Sequence, residues 1–152
     1  FDEVHAQLLE AGLRVARRSQ WGDGLPPTDV DVWLGDSLGE MPLYYAAADI
    51  GLLGGSFEPL GGQNLIEAAA CGCPMVIGPH TFNFAQVSQT ACEVGAAFRV
   101  LDMEQGVQLA TALVRDASSL AAARQAALEF AASHRGTARA TAQAIQQLLP
   151  YR

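Results

Sequence analysis

The sequence contains no lysine, and this absence excludes one common nucleotide site. A P-loop requires a lysine directly after its glycines, so the chain carries none. All of its basic side chains apart from histidine are arginines, and they cluster only at Arg14, Arg17 and Arg18. Together with a formal net charge of -7, this scarcity of positive charge argues against nucleic-acid binding.

Long apolar runs, a secretory signal and an even number of cysteines are also missing. No run of about 18 apolar residues is present, so the sequence predicts no membrane-spanning helix. Of the three cysteines, Cys71 and Cys73 are separated by one residue, which fits neither a redox CxxC motif nor a zinc half-site. We therefore read Cys71 and Cys73 as small buried residues in a protein of the reducing cytoplasm. Because the chain starts with Phe1 rather than Met, we expect a piece of a longer protein.

What is present indicates one globular α/β domain over residues 1–152, in which half the residues are hydrophobic. Periodicity and turn residues predict helices at 1–12, 40–48, 64–72, 83–94, 103–116, 118–134 and 137–149, and strands at 13–19, 30–35, 50–53, 74–78 and 96–101. This alternation predicts a Rossmann-like parallel sheet with helices on both faces. A strand should precede the first helix, so either that strand is missing or the helix prediction is wrong.

The segment from Asp49 to Gly72 reads as a strand, a glycine-rich loop and a short helix. Its two Gly-Gly pairs could turn backbone N–H groups toward a phosphate, or could merely make a tight turn. Asn64 and Glu67 at the helix start favour nucleotide binding. A carboxylate repels phosphate, so the expected partner of Glu67 is a hydroxyl donor such as a ribose diol.

Two other strand-exit loops carry glycine and polar residues, at 35–40 and 78–83. Strand-exit loops of a parallel sheet meet at one edge, where ligands bind. Ser37 and Glu40 have the spacing of a capping box, so Glu40 is either a helix cap or a ligand contact. His80 could contact a phosphate or carboxylate, although a local hydrogen-bonding role is slightly favoured. No catalytic triad and no general base is apparent.

Four ordered motifs resemble the C-terminal half of bacterial 3-deoxy-D-manno-octulosonic acid (Kdo) transferases. They are Gly35–Met41, Gly54–Ser56, Gly61–Glu67 and Gly78–Phe84. The resemblance covers roughly residues 1–100, followed by a compatible helical tail. Where the family pattern has Gly-Gly-His-Asn and Asn-Pro-x-Glu, this chain has Gln63 for the histidine and Leu65 for the proline. Asn64 and Glu67 themselves match.

The resemblance implies the C-terminal domain of a two-domain GT-B glycosyltransferase. The donor would be CMP-Kdo and the acceptor the lipid A precursor of lipopolysaccharide, in inverting transfer that needs no metal or other cofactor. The catalytic base and the membrane-associating surface would belong to an absent N-terminal domain, and a Pro-Arg pair that contacts CMP should precede Phe1. The parent enzyme would act at the cytoplasmic face of the inner membrane of a Gram-negative bacterium, while this part alone would be soluble and inactive.

The resemblance also implies a set of CMP contacts on this chain. They are Leu38, Gly39, Glu40, Asn64, Leu65, Ile66 and Glu67, with Gly55, Ser56 and His80 as further candidates. Two other functions remain open from the residues alone. One is a non-catalytic nucleotide-binding module, and the other is a GT-B domain that uses a UDP-sugar.

Overall fold

The computed structural model describes residues 1–22, 24–135 and 145–147. The chain forms two compact units, one over Phe1–Met41 and one that begins at Pro42. A division into compact units does not decide how many domains the chain has, so the single domain predicted over residues 1–152 stays a prediction. None of the described helices is long and apolar enough to cross a membrane.

The first unit consists of a helix followed by two short parallel strands. Its elements are α1 (Asp2–Glu10), β1 (Val15–Arg17), a 3₁₀ turn (Arg18–Gln20) and β2 (Val32–Leu34). Strands β1 and β2 pair with Val15 opposite Val32. The helix prediction for residues 1–12 is confirmed. It ends as the sequence suggests, because Gly12 has a φ of 78° and the N–H of Leu13 bonds to the carbonyl of Leu8 at 3.1 Å.

The second unit alternates helices with three parallel strands, as predicted. Its elements are α2 (Met41–Ala47), β3 (Gly51–Leu53), a 3₁₀ turn (Gly54–Ser56), α3 (Leu65–Ala70), β4 (Met75–Ile77), a 3₁₀ turn (Phe82–Phe84), α4 (Ala85–Glu93), β5 (Ala97–Arg99), α5 (Met103–Arg115) and α6 (Ala117–Ser133). The strand order is β3-β4-β5. Leu53, Ile77 and Arg99 lie side by side at the carboxyl ends of the three strands. The α/β prediction is confirmed, although each strand is only three residues long.

The core of the second unit lies around β4, all three residues of which are buried. Helix α3 contributes Leu65, which is 2% exposed, and α6 contributes Phe130, which is 3% exposed. The remaining core positions on these two helices are alanines, whose small side chains allow the helices to pack closely. Burying a leucine-sized side chain stabilises the fold by about 1.5–3 kcal/mol, so these contacts anchor α3 firmly.

Several large apolar residues of α5 and α6 are exposed. On α5, Val107 and Val114 are exposed, whereas Gly106 is buried. A Cβ on Gly106 would lie 3.2 Å from the Phe57 ring, so the aromatic ring occupies the space that a side chain would need. On α6, Leu128 is likewise exposed. The predicted helix at 137–149 lies outside the described residues except for 145–147, which are helical and exposed.

Candidate functional site

The loops that follow β3 and β4 are joined by the side chain of Ser56. Its hydroxyl donates to the carbonyl of Leu53 at 2.6 Å and accepts the N–H of Gly78 at 2.7 Å. Its carbonyl accepts the N–H of His80 at 2.9 Å. The residue is fully buried. Ser56 therefore joins the two loops, and its contact with CMP stays a prediction.

The second glycine pair lets the same two loops approach each other. Gly61 and Gly62 have φ angles of 90° and 77°, which residues with a Cβ rarely adopt. A Cβ on Gly61 would overlap the Asn83 side chain, while the N–H of Gly62 donates to the carbonyl of Gly55 at 3.1 Å. The turn-forming role considered for these glycines is therefore present. Gly55, which is half-buried in this arrangement, stays a predicted ligand contact.

Helix α3 presents two polar side chains at its start. The side-chain oxygen of Asn64 accepts the N–H of Ile66 at 3.0 Å, which caps the helix and leaves the amide N–H groups of Asn64 free to donate. Glu67 is exposed in the first turn, and the structure records no hydrogen bond or ion pair for its carboxylate among the described residues. Leu65 points into the core, so only its backbone can meet a ligand. The side chains available here are those of Asn64 and Glu67, with Ile66 half-buried between them.

Arg99 fixes the loop after β4, a role that the sequence pattern did not reveal. Its guanidinium donates to the carbonyl of Gly78 at 3.0 Å and to the hydroxyl of Thr81 at 3.0 Å. No salt bridge pairs its charge with a carboxylate among the described residues. His80 is half-buried and lies between Gly78 and Thr81, the two residues that Arg99 holds. Its imidazole therefore belongs to a loop that is fixed on both sides of it. The signal that could have identified Arg99 is its place at the end of the last predicted strand, next to the strand-exit loop 78–83.

The third predicted contact segment is the turn Leu38–Gly39–Glu40 in the first unit. Leu38 is 93% exposed, and Gly39 has a φ of 81°, so the turn depends on glycine. The Glu40 carboxylate accepts from Arg18 Nη2 at 2.7 Å with one oxygen and contacts the Ser37 hydroxyl with the other. Helix α2 begins at Met41, after Glu40. Ser37 is therefore not the N-cap and the capping-box prediction is wrong.

A second acidic residue of this unit, Asp36, is held by several donors. Its carboxylate accepts the N–H and the hydroxyl of Ser19 at 2.8 and 2.7 Å, and Nε of Arg17 at 2.7 Å. Only 2% of the Asp36 side chain is exposed. The bonds from Ser19, followed by those from Arg17, hold the pKa of Asp36 well below its ordinary value. Near it, bonds from Arg14 lower the pKa of Asp31 to about 2.

We expect the first unit to lose stability in acid through Asp36. An unfolded aspartate has a pKa of about 3.9, and the folded pKa is lower. The stabilisation is therefore complete above about pH 4 and is lost as the pH falls from there through the folded pKa. Asp36→Asn removes this contribution, so the variant is less stable at neutral pH and loses less on acidification. Both tryptophans, Trp21 and Trp33, belong to this unit, so tryptophan fluorescence during urea unfolding at several pH values measures it.

The matched control for Asp36 is Glu10→Gln. Glu10 is an exposed carboxylate on α1 for which the structure records no hydrogen bond among the described residues. Its substitution should leave both the neutral-pH stability and the acid dependence of the fluorescence transition unchanged. An Asp36→Asn variant with the wild-type acid dependence would contradict the assignment.

The remaining reactive groups suit structural roles. Cys73 is fully buried, which raises the pKa of its thiol to about 11, whereas Cys71 is half-buried with Sγ 3.5 Å from the carbonyl of Pro42. The buried role is thus confirmed for Cys73.

Within residues 1–22, 24–135 and 145–147, no group of three or more His, Cys, Asp or Glu side chains could hold a metal ion. The expectation of a metal-free reaction stays a prediction.

Comparisons with known proteins agree on one family. The chain is 49% identical to the 3-deoxy-D-manno-octulosonic acid transferase of Bordetella pertussis over 149 residues, which are 98% of this chain and 35% of that protein. It is 33% identical to the transferase of the same name from Haemophilus influenzae over 150 residues, 98% of this chain and 33% of that protein. The chain thus spans about a third of the length of these relatives. No protein-family model matches it.

One solved structure is similar over most of the chain. It is the C-terminal CMP-Kdo binding domain of WaaA from Acinetobacter baumannii, with a TM-score of 0.77 and 29% sequence identity. The match covers 85% of this chain and 66% of that one.

Proposed function

Because the chain belongs to the 3-deoxy-D-manno-octulosonic acid (Kdo) transferase family, we propose that it is the part of such a glycosyltransferase that binds the donor, CMP-Kdo. The parent enzyme transfers Kdo to the lipid A precursor at the cytoplasmic face of the bacterial inner membrane. The acceptor and the membrane are bound by parts of the enzyme outside this chain. A non-catalytic nucleotide-binding module and a domain for a UDP-sugar are not favoured by these relatives.

The observation that carries the proposal is the start of α3. There an exposed carboxylate, for which the described residues provide no hydrogen bond or ion pair, lies three residues from an exposed amide, on a helix anchored by the buried Leu65. A carboxylate accepts hydrogen bonds from both hydroxyls of a ribose, and an amide N–H donates to a phosphate oxygen. Glu67 and Asn64 therefore offer complementary groups to the two polar parts of a nucleoside monophosphate.

The other contacts in the proposal follow from what each residue exposes. Leu65 contributes through its backbone only, because its side chain is buried. Gly55, Ile66 and His80 lie on or beside the joined loops. Leu38, Gly39 and Glu40 are the remaining CMP contacts in the proposal. The side chain of Ser56 is buried and holds the two loops together, so any contribution of Ser56 to CMP binding acts through the position of these loops.

In the reaction that we propose, an acceptor hydroxyl attacks the anomeric carbon of Kdo and CMP leaves with inversion. The base that removes the hydroxyl proton belongs to a part of the enzyme outside this chain. The task of this chain is to orient the nucleotide and to stabilise the charge on the departing phosphate. With no cation, that stabilisation falls to backbone N–H groups, the amide of Asn64 and the positive charge of Arg99.

The experiment that tests the proposal is a titration of the chain with CMP, UMP and AMP, followed by NMR. We expect CMP to bind most tightly and to shift the amide signals of Asn64 to Glu67. Glu67→Ala should weaken CMP binding about tenfold or more, because a hydrogen bond to a charged group contributes about 1.5–3 kcal/mol.

Glu93→Ala is the matched control, since Glu93 is exposed at the far end of α4 and its one recorded hydrogen bond among the described residues is from Gln89 in its own helix. It should bind CMP as the wild type does. If the amide signals of Asn64 to Glu67 do not shift on addition of CMP, the proposed site is wrong. Tighter binding of UMP would point to a UDP-sugar instead.

A further inference from the structure

We propose that Arg18 is a positioning residue for the donor nucleotide, because it holds the carboxylate of Glu40 in one orientation and neutralises its charge. The inference rests on the proposed function, in which Glu40 contacts CMP. Arg18 itself need not touch the ligand. Its effect on binding is exerted through Glu40.

The contact between the two side chains is close and partly shielded from water. Arg18 Nη2 lies 2.7 Å from Oε1 of Glu40, and each side chain is 26% exposed. The Ser37 hydroxyl contacts the other oxygen, so the carboxylate is restrained at both ends.

Arg18 is in turn held by the tryptophans of the unit. Its guanidinium carbon lies 5.4 Å from the centre of the Trp21 ring, within the range of a cation–π interaction. The Trp21 ring meets Trp33 edge-on, with centroids 5.7 Å apart and an interplanar angle of 73°. The indole N–H of Trp33 donates to the carbonyl of Pro27 at 2.8 Å. The orientation of Glu40 thus depends on a chain of contacts that starts in the loop before β2.

The other arginines of the cluster serve different partners. Arg14 pairs with Asp31, and Arg17 pairs with Asp36 and Asp2. Only the partner of Arg18 belongs to the turn that is proposed to contact CMP. This difference makes Arg14 a suitable control for a general loss of positive charge.

The electrostatic need for Arg18 follows from the charge of the ligand. CMP carries a negative phosphate, and the donor sugar carries a carboxylate besides. Without the positive charge of Arg18 beside it, the Glu40 carboxylate would repel such a ligand, since partly shielded charges interact over distances near the Debye length of about 8–10 Å. With Arg18 in place, the net charge of the pair is zero.

The test compares the affinity for CMP with that for cytidine, which lacks the phosphate. Isothermal titration would use the wild type, Arg18→Ala, Arg18→Lys, Glu40→Ala, the double variant Arg18→Ala/Glu40→Ala, and Arg14→Ala. Arg18→Ala should weaken CMP binding about tenfold and cytidine binding only about threefold, because the positive charge that offsets Glu40 beside the phosphate is lost. Arg18→Lys should restore the wild-type ratio of the two affinities. Arg14→Ala should change neither affinity.

The double variant separates positioning from direct contact. Removing Glu40 as well should bring the ratio of CMP to cytidine affinity back to that of Glu40→Ala, because the carboxylate on which Arg18 acts is then absent. If Arg18→Ala lowers the CMP affinity equally with and without Glu40, Arg18 acts on the ligand directly and the inference is overturned. Wild-type CMP binding with an unchanged ratio in Arg18→Ala overturns the inference alone. A wild type that binds no CMP overturns the proposed function together with it.

The variants also need a check that they fold. The dispersion of amide NMR signals serves this purpose, because Trp21 fluorescence responds directly to the loss of the Arg18 contact. Should Arg18→Ala be unfolded, Arg18→Gln removes the same charge, retains a polar side chain of similar length and carries the same comparison.

Discussion

Gly78→Ala is expected to lower the free energy of unfolding of the second unit by about 3 kcal/mol, because the added methyl group has no space. A Cβ at this position would lie 2.8 Å from Cα of Phe57 and 2.8 Å from the carbonyl carbon of Ser56, and it would overlap the Ser56 oxygen. These are backbone atoms, which cannot rotate away as a side chain does. The substitution would also push apart the Gly78 N–H and the Ser56 hydroxyl, which are both buried.

Gly54→Ala provides the control within the same loops. A Cβ on Gly54 would meet no atom within 4 Å, and its backbone is not in the left-handed region. This variant should differ from the wild type by less than about 0.5 kcal/mol. Urea unfolding followed by far-UV circular dichroism measures both, since the second unit contains no tryptophan. Equal stabilities of the two variants would show that the loops are not packed as described.

Leu65→Ala should cost about 2–5 kcal/mol of unfolding free energy, the usual range for truncating a buried leucine. Leu65 is 2% exposed and packs in the core directly after the cap residue Asn64. Its loss leaves a cavity under the first turn of α3, so Asn64 and Glu67 lose their fixed position. We therefore expect weaker CMP binding in this variant even under conditions where it remains folded.

Leu60→Ala is the counterpart with the same chemical change at the surface. Leu60 is 69% exposed, so its truncation should alter stability by less than about 0.5 kcal/mol. Both stabilities can be measured in urea by circular dichroism, and both CMP affinities by titration. If Leu65→Ala is as stable as Leu60→Ala, α3 is not anchored through this residue.

Local sequence signals predicted the helix that carries the candidate site. Asn64 is a favoured N-cap residue and Gly72 can adopt a φ of 71°, so both ends of α3 were encoded within a few residues. The same holds for α1, which ends at Gly12. The resemblance to a known family then supplied the functional interpretation, which local patterns alone left open.

The predictions that failed depend on residues far apart in the chain. Glu40 looked like a capping residue because Ser37 is nearby, but its other partner, Arg18, is 22 positions away. The burial of Ser56 was likewise not evident from the glycines around it, because its bond to Gly78 spans another 22 positions. Periodicity places apolar residues on a helix face but does not show which neighbours fill the space beside them.

The hydrogen bonds that hold the strand-exit loops in place affect the conformational entropy of ligand binding. Ser56 links the loop after β3 to the loop after β4, and Arg99, at the end of β5, holds that second loop from its other side. Ordering a flexible loop on ligand binding costs conformational entropy, which weakens affinity. Here the ordering has already occurred during folding. A nucleotide that meets this edge of the sheet therefore keeps more of the free energy of its contacts as affinity.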